Sequence, residues 1–243
     1  PSFAEAFLFH GKAPKAGMRF INKPLANTLR IIAKTKGKDF YEGKLASAIC
    51  DNAKQHNAAL TIEDMATHTI SWCDTISKSF DDFELHEIPP NTQGIAALIA
   101  IGILSNTRIR DLGVDDPLAL HLQIEAMKLA LSDTESYVAD GNFMKDVTTH
   151  DLLDDAYLAK RSELIDEKKA QNFNAGAPKN GGTVYLATAD SSGKMVSFIQ
   201  SNYAGFGSGV VIPGTGISMQ NRGAGFSLDP TSPNRVGPSK RPF

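Results

Sequence analysis

The sequence predicts an α+β protein. Apolar residues recur at helical spacing through roughly the first 170 residues, a polar stretch rich in Gly, Asn and Lys interrupts them at 171–182, and strand-like alternation begins at Thr183. A chain of 243 residues allows one large domain or two small ones, and 42% hydrophobic residues suffice for a sizeable core.

The elements follow in order. Pro24 sits early in a helix over 24–33 that carries Leu25, Leu29 and Ile32 on one face. A second helix is predicted over 39–50. Thr61, with Asp64 three residues on, has the pattern of an N-cap. Residues 69–77 and 82–88 alternate and read as strands. Asn91 opens an apolar helix to about Ser105. Its run Gly94–Leu104 falls short of the roughly 20 apolar residues that span a bilayer, so it reads as a buried helix. Asp115, Asp116 and Pro117 start a helix with Leu122, Ala126, Leu129, Ala130 and Asp133 along one stripe. Residues 151–165 form a further amphipathic helix, and 171–182 read as a flexible linker. Strands at 183–190 and 194–201 flank the tight turn Ser191-Ser192-Gly193. A glycine-dense loop runs over 205–216, a third short strand over 217–220, and the tail from Asp229 is rich in Pro, Ser and Asn.

Charge and composition exclude several function classes. Acidic residues number 27 and basic residues 25, a formal charge of −2, so no nucleic-acid partner is implied. The six histidines show no HExxH or paired spacing, so neither a metal nor another cofactor is expected. Cys50 and Cys73 are expected as free, half-buried thiols. Asp133 and Asp140 stand two turns apart on one helix face and are expected as caps or ion-pair members rather than catalysts. Gly205-Phe206-Gly207-Ser208-Gly209 lacks the Lys-Ser/Thr and the following helix of a phosphate loop. The opening on Pro1 and the stop at Phe243 are those expected of a piece of a longer protein.

The junction Gly181-Gly182-Thr183 carries the chemistry. Cutting the 182–183 bond would place the Thr183 hydroxyl beside its own α-amine. That amine, with a pKa of about 7.7–8.0, takes a proton near neutral pH, so one residue supplies nucleophile and base. By spacing alone the same residues read first as the end of an ordinary loop.

Further landmarks stand in one order: Ala13-Pro14 to Leu25, Phe40-Tyr41-Glu42-Gly43, Leu60 to Asp64, Pro89-Pro90-Asn91-Thr92-Gln93-Gly94, His121 to Ala130, Gly207-Ser208-Gly209 and Val236 to Pro242. With them the whole chain resembles the γ-glutamyltranspeptidase family, most of all its divergent branch of cephalosporin acylase-like and oxamate amidohydrolase members. The resemblance implies an N-terminal-nucleophile hydrolase of αββα sandwich type, here partial. Residues 1–182 would be part of a helical large-subunit region, and 183–243 the start of the small catalytic subunit. It implies a proenzyme that cleaves itself between Gly182 and Thr183, with Thr183 as nucleophile and Ser201 as the hydroxyl that hydrogen-bonds it. The expected activity is amide hydrolysis or acyl transfer, similar to γ-glutamyltransferase and glutathione hydrolase, on γ-glutamyl or related small acyl amides.

The departures fall at Tyr203, Arg222 and Gly225, where the family's γ-glutamyl enzymes hold a substrate ammonium. Arg222 repels an ammonium and either suits a carboxylate instead or is a solvated surface Arg, and Tyr203 either contacts substrate or packs beside the hairpin. The short segment between Phe226 and Val236 lacks the longer lid loop of many members. The family's oxyanion hole lies further downstream, so residues 1–243 alone are expected to be inactive. Implied partners are a small-molecule amide and the remainder of the proenzyme, with no membrane span in this segment. A homodimer and the compartment (periplasmic, secreted or cytoplasmic) stay open. The rival reading is an unprocessed or non-catalytic homologue that keeps the fold for binding or assembly.

Overall fold

The computed structural model describes residues 2–173 and 183–243, Thr183 by its backbone only. In chain order the elements are α1 (Ser2–Phe7), α2 (Lys23–Thr35), α3 (Lys38–Glu42), α4 (Lys44–Gln55), α5 (Ile62–Thr67), β1 (Ile76–Phe80), β2 (Phe83–Glu87), α6 (Gly94–Leu104), α7 (Pro117–Tyr137), α8 (Thr149–Leu152), α9 (Asp155–Ser162), β3 (Thr183–Ala189) and β4 (Met195–Ser201). Helices and small antiparallel sheets make up an α+β fold, as expected. The chain packs as two compact units, Pro1–Ser71 with Lys179–Arg222, and Trp72–Pro178 with Gly223–Phe243.

In the first unit, α2 begins at Asn22, a cap that the sequence reading, which rests on Pro24, does not name. The Asn22 side chain accepts the Leu25 N–H at 3.0 Å, and Pro24 fills an early position that needs no donor. The predicted helix at 39–50 is instead two, α3 and α4. Gly43 is extended between them, and a Cβ there would lie 2.8 Å from the Asp39 Cα. The Asp39 carboxylate accepts the Leu45 N–H at 3.1 Å and so restarts the chain as α4. At α5 the expected cap is a full capping box. Asp64 N–H reaches the Thr61 hydroxyl at 3.2 Å, and Thr61 N–H reaches the Asp64 carboxylate at 2.8 Å.

The core of this unit gathers Ala46 and Ile49 of α4, Met65 of α5 and Ile212 from the glycine-dense loop. The buried Thr28 hydroxyl donates to the Thr215 carbonyl at 2.8 Å, tying that loop to α2. Gly216 has φ +69° and comes so close to α2 that a Cβ would lie 2.8 Å from the Leu25 nitrogen. The predicted strand at 217–220 is only an isolated bridge, Val211 to Ser218. Around that bridge, among the described residues, only Ile212 N–H on the Ile217 carbonyl and Met219 N–H on the Val210 carbonyl, both at 2.9 Å, join the two segments.

The hairpin β3–β4 has the predicted turn. Asp190 accepts the Ser192 and Lys194 N–H groups at 2.8 and 3.2 Å, and Gly193 takes φ +81°. Its two strands expose apolar side chains on both faces, including Val184, Tyr185, Phe198 and Ile199.

In the second unit, α6 is apolar all round and buried, as predicted. Its Ile95, Ile99 and Ile103 pack against Ala126, Leu129 and Ala130 of α7 and Leu158 of α9. The N-cap of α7 is Asp116, which accepts the Leu118 N–H at 2.8 Å. The first of the two predicted strands is displaced. Pairing of Phe80 with Phe83 across a two-residue turn sets the register, so the strand is Ile76–Phe80. Residues 69–75 form no strand, and Cys73 is therefore exposed rather than half-buried; Cys50 is half-buried. The predicted helix at 151–165 is broken into α8 and α9. Asp154 interrupts it by accepting the Tyr157 N–H at 2.9 Å and capping a new helix.

Three buried acids of this unit are all paired. Asp133 meets Arg161 at 2.7 Å. Asp140 accepts both the N–H and the side-chain Nε of Arg241 at 3.1 Å and caps the 3₁₀ turn at 141–143. Both aspartates are thus the cap and ion-pair members expected. Glu125, 1% exposed, meets Lys128 at 2.7 Å and accepts the Gln171 N–H at 3.1 Å. Lys128 also donates to the Gln171 carbonyl and lies over the Phe173 ring, 5.3 Å from its centroid. The stretch read as linker is therefore fastened at 171–173; its remainder, 174–182, lies outside the described residues.

Candidate active site

The first unit brings the sequence-predicted residues together. Thr183 opens β3, and its register partner on β4 is Ser201. Two adjacent antiparallel strands place paired Cα atoms about 4.5–5.5 Å apart, close enough for short side chains to meet when they share a face. The half-buried Ser201 Oγ accepts the Tyr203 N–H at 3.0 Å. Gly182, the other half of the predicted cleavage junction, lies outside the described residues.

Tyr203 turns the chain away from β4. Its φ is +76°, a left-handed conformation that costs a non-glycine residue about 1–3 kcal/mol and gathers at functional sites. Two hydrogen bonds hold it there. Ala204 N–H reaches the Asn221 side chain at 3.1 Å, and Asn221 N–H reaches the Asn202 carbonyl at 3.2 Å. Arg222 is thereby held beside the end of β4. Its N–H donates to the Gln220 side chain at 2.7 Å, and its guanidinium lies over the Tyr203 ring, 5.4 Å from the centroid. Arg108, Arg110, Arg161 and Arg241 each pair with a carboxylate; among the described residues Arg222 has no such partner.

Sequence reasoning missed Asn221, whose side chain and backbone both serve the junction. Its signal was a short amide at a chain reversal, where Asn bonds nearby backbone. Gly225 belongs to the second unit, where a Cβ would lie 2.5 Å from the Phe243 carbonyl and its own carbonyl accepts from Asn234 at 2.7 Å. The short 226–236 segment is a closed turn, with Ser227 N–H on the Asn234 carbonyl at 2.9 Å and Val236 N–H on Ser227 at 3.0 Å.

The glycine loop is spent on backbone structure. Gly205, Gly207 and Gly209 all have positive φ, and the Ser208 N–H and hydroxyl both donate to the Met219 carbonyl at 2.9 Å. Among the described residues no three His, Cys, Asp or Glu side chains converge as a metal site, and no helix is long and apolar enough to cross a membrane.

Helices with small antiparallel sheets are the fold this chain shares with solved structures of the N-terminal-nucleophile hydrolase class. The family model described as Gamma-glutamyltranspeptidase matches residues 1–243, and the chain belongs to that family. It is 36% identical over its full length to the oxamate amidohydrolase proenzyme of Klebsiella pneumoniae, covering 45% of that protein. It is 35% identical to the glutathione hydrolase-like YwrD proenzyme of Bacillus subtilis, covering 46%. Among solved structures it is similar to cephalosporin acylase from Bacillus halodurans, with TM-score 0.90 and 44% identity over 99% of this chain and 44% of that one. The chain thus spans about half the length of the curated relatives it matches.

Proposed function

We propose that this chain is part of a self-processing Thr amidohydrolase, with Thr183 as nucleophile. The observation that carries it is the register pairing of Thr183 with Ser201, directly after Gly181-Gly182, in a chain that matches the family along its whole length. In processing, the Thr183 hydroxyl oxygen attacks the Gly182 carbonyl carbon. The peptide C–N bond breaks, an ester forms on Oγ, and the Thr183 α-amine is released carrying the hydroxyl proton. Water then hydrolyses the ester to a Gly182 carboxylate.

In the mature enzyme that α-amine takes the hydroxyl proton as Oγ attacks a substrate amide and passes it to the departing amine. Water, or an acceptor amine, resolves the acyl ester. Ser201 supplies the hydrogen bond that orients Oγ, while Tyr203 and Arg222 face the acyl group. The substrate is a small acyl amide, a class that fits relatives named glutathione hydrolase, oxamate amidohydrolase and acylase. By this cut residues 1–182 belong to the upstream subunit and 183–243 begin the catalytic one. The rest of the proenzyme is the natural cover for the two exposed apolar faces of β3–β4, since an isolated two-stranded hairpin is marginal in water.

Intact mass spectrometry of the full-length protein is the test. Wild type should give two fragments split before Thr183, and Thr183→Ala a single uncut chain. Normal splitting of that variant would refute the assignment.

A further inference from the structure

We infer that Asn221 positions the proposed nucleophile: it clamps the reversal that follows β4, and the clamped reversal sets the aim of the Ser201 hydroxyl. The inference rests on the reading of Thr183 as nucleophile and adds to it a positioning residue, one that acts through its neighbours.

Ser201 is the register partner of Thr183. A serine hydroxyl carries one proton and two lone pairs. On Ser201 one lone pair receives the Tyr203 N–H at 3.0 Å. An oxygen that accepts on one side turns its own proton to another, and the role proposed for Ser201 depends on where that proton points. Whatever fixes the Tyr203 N–H therefore fixes the hydroxyl.

That N–H belongs to a strained stretch of backbone. With φ at +76°, Tyr203 lies in the left-handed region, which a residue with a side chain keeps only where its surroundings over-determine it. Asn221 holds the peptide groups on both sides of it. The group before Tyr203 is planar, with its carbonyl and its N–H pointing opposite ways. The Asn202 carbonyl at one end accepts the Asn221 N–H at 3.2 Å, and the Tyr203 N–H at the other end donates to Ser201. In the group after Tyr203, the Ala204 N–H donates to the Asn221 side-chain oxygen at 3.1 Å. With both planes held, the φ and ψ of the residue between them are set.

The clamp has a fixed seat of its own. Ser208 N–H donates to the Met219 carbonyl, and Met219 N–H to the Val210 carbonyl, both at 2.9 Å. Gly207, at φ +68°, lies so close that a Cβ there would run into the Met219 oxygen. The segment that carries Asn221 is thus bound to the glycine loop two residues before the clamp. Of the two links from Asn221, the backbone one survives substitution. The side-chain link needs an acceptor of this reach, which Asp shares with Asn and Leu, of similar size, lacks.

The test follows self-cleavage of freshly synthesised full-length protein by intact mass, a reaction that needs no added ligand. Asn221→Leu should slow the cut before Thr183 about 10-fold or more, the scale of a lost hydrogen bond compounded by misaimed reacting groups. Asn221→Asp should stay within about 3-fold of wild type. Tyr203→Gly added to Asn221→Leu should recover part of the rate, because glycine takes left-handed backbone without a clamp. The decisive readout is coupling to Ser201. If Asn221 acts through that hydroxyl, Asn221→Leu should slow cleavage far less in a Ser201→Ala background than in the wild type, whereas a merely structural residue would slow both equally. Urea midpoints in the Thr183→Ala background report the fold, and Asn221→Ala takes the place of Asn221→Leu in the cycle if the latter is unfolded there. Equal slowing in both backgrounds, no recovery with Tyr203→Gly, or a wild-type rate for Asn221→Leu would overturn the positioning role while leaving Thr183 in place. Normal cleavage of Thr183→Ala would instead remove the reading on which it rests.

Discussion

The buried pair Glu125–Lys128 gives the most demanding test of the packing. Glu125 sits 1% exposed on α7, and its carboxylate has two partners, Lys128 Nζ at 2.7 Å and the Gln171 N–H at 3.1 Å. Lys128→Met removes the cation and leaves a buried carboxylate with one hydrogen bond. Breaking such a pair costs about 3–5 kcal/mol, and because the Lys128 side chain is 33% exposed the lower end applies. Replacing both residues, as Glu125→Leu with Lys128→Met, removes the stranded charge and should recover most of the loss. The assay is urea unfolding by circular dichroism in the full-length Thr183→Ala background, where every sample is one chain. A midpoint shift worth less than about 1 kcal/mol for Lys128→Met, or a double variant no better than the single, would refute the buried-charge argument.

Two aspartates should give pH dependences of opposite sign. Burial raises the Asp140 carboxyl, but the bonds from Arg241 and Asn142 outweigh it and hold the group below its ordinary value. Its contribution is therefore present above the unfolded pKa of about 3.9 and lost as pH falls through the folded value. For Asp133 burial outweighs Arg161 and Tyr157 and holds the group above its ordinary value, so its contribution is greatest in acid and declines as pH rises through the folded value. Urea titrations from about pH 3 to 6 should show Asp140→Asn and Asp133→Asn changing the slope of stability in opposite directions; slopes that change the same way would refute the claim that burial outweighs Arg161 at Asp133. Residues 1–243 expressed alone should bind a hydrophobic dye through the open faces of β3–β4 and show no amidase turnover. Measurable hydrolysis by that piece would defeat the expectation that catalysis needs the rest of the proenzyme.

What was legible in the sequence was local. Thr61 and Asp116 advertise their helix starts because a short polar side chain can satisfy a free backbone N–H, and each does so. The apolar run of α6 advertises its burial. What misled was continuity of pattern. Apolar spacing runs unbroken through 39–50 and 151–165, yet Asp39 and Asp154 each supply a better local alternative to the next helical hydrogen bond. Residues 69–75 alternate like a strand but find no partner, because the turn at Asp81-Asp82 sets the register two residues from Phe80. Long-range pairing was invisible: nothing near Gln171 announces that Glu125 will claim its N–H. At the candidate site the identities of Ser201, Tyr203 and Arg222 were readable through resemblance. The cation–π contact of Arg222 with Tyr203, and the role of Asn221 in holding both, required the fold.

The cleavage junction and the packing of the chain divide it differently. Processing before Thr183 would part residues 1–182 from 183–243. Packing joins Pro1–Ser71 with Lys179–Arg222, and Trp72–Pro178 with Gly223–Phe243. Each compact unit is therefore built from both sides of the cut. In the first, Ile212 completes the core of α4 and α5, and Thr215 is bound to Thr28. In the second, Phe243 packs on the core of α6 and α7, Asp140 holds Arg241, and Asn91 donates to the Pro242 carbonyl at 2.7 Å. Cutting one peptide bond removes none of these contacts. Thr183, the proposed nucleophile, would thus become a chain terminus with a free α-amine while these contacts remain. A division that followed the units would have released the strand that Thr183 opens; this one exposes its first residue and keeps its partner, Ser201, in register.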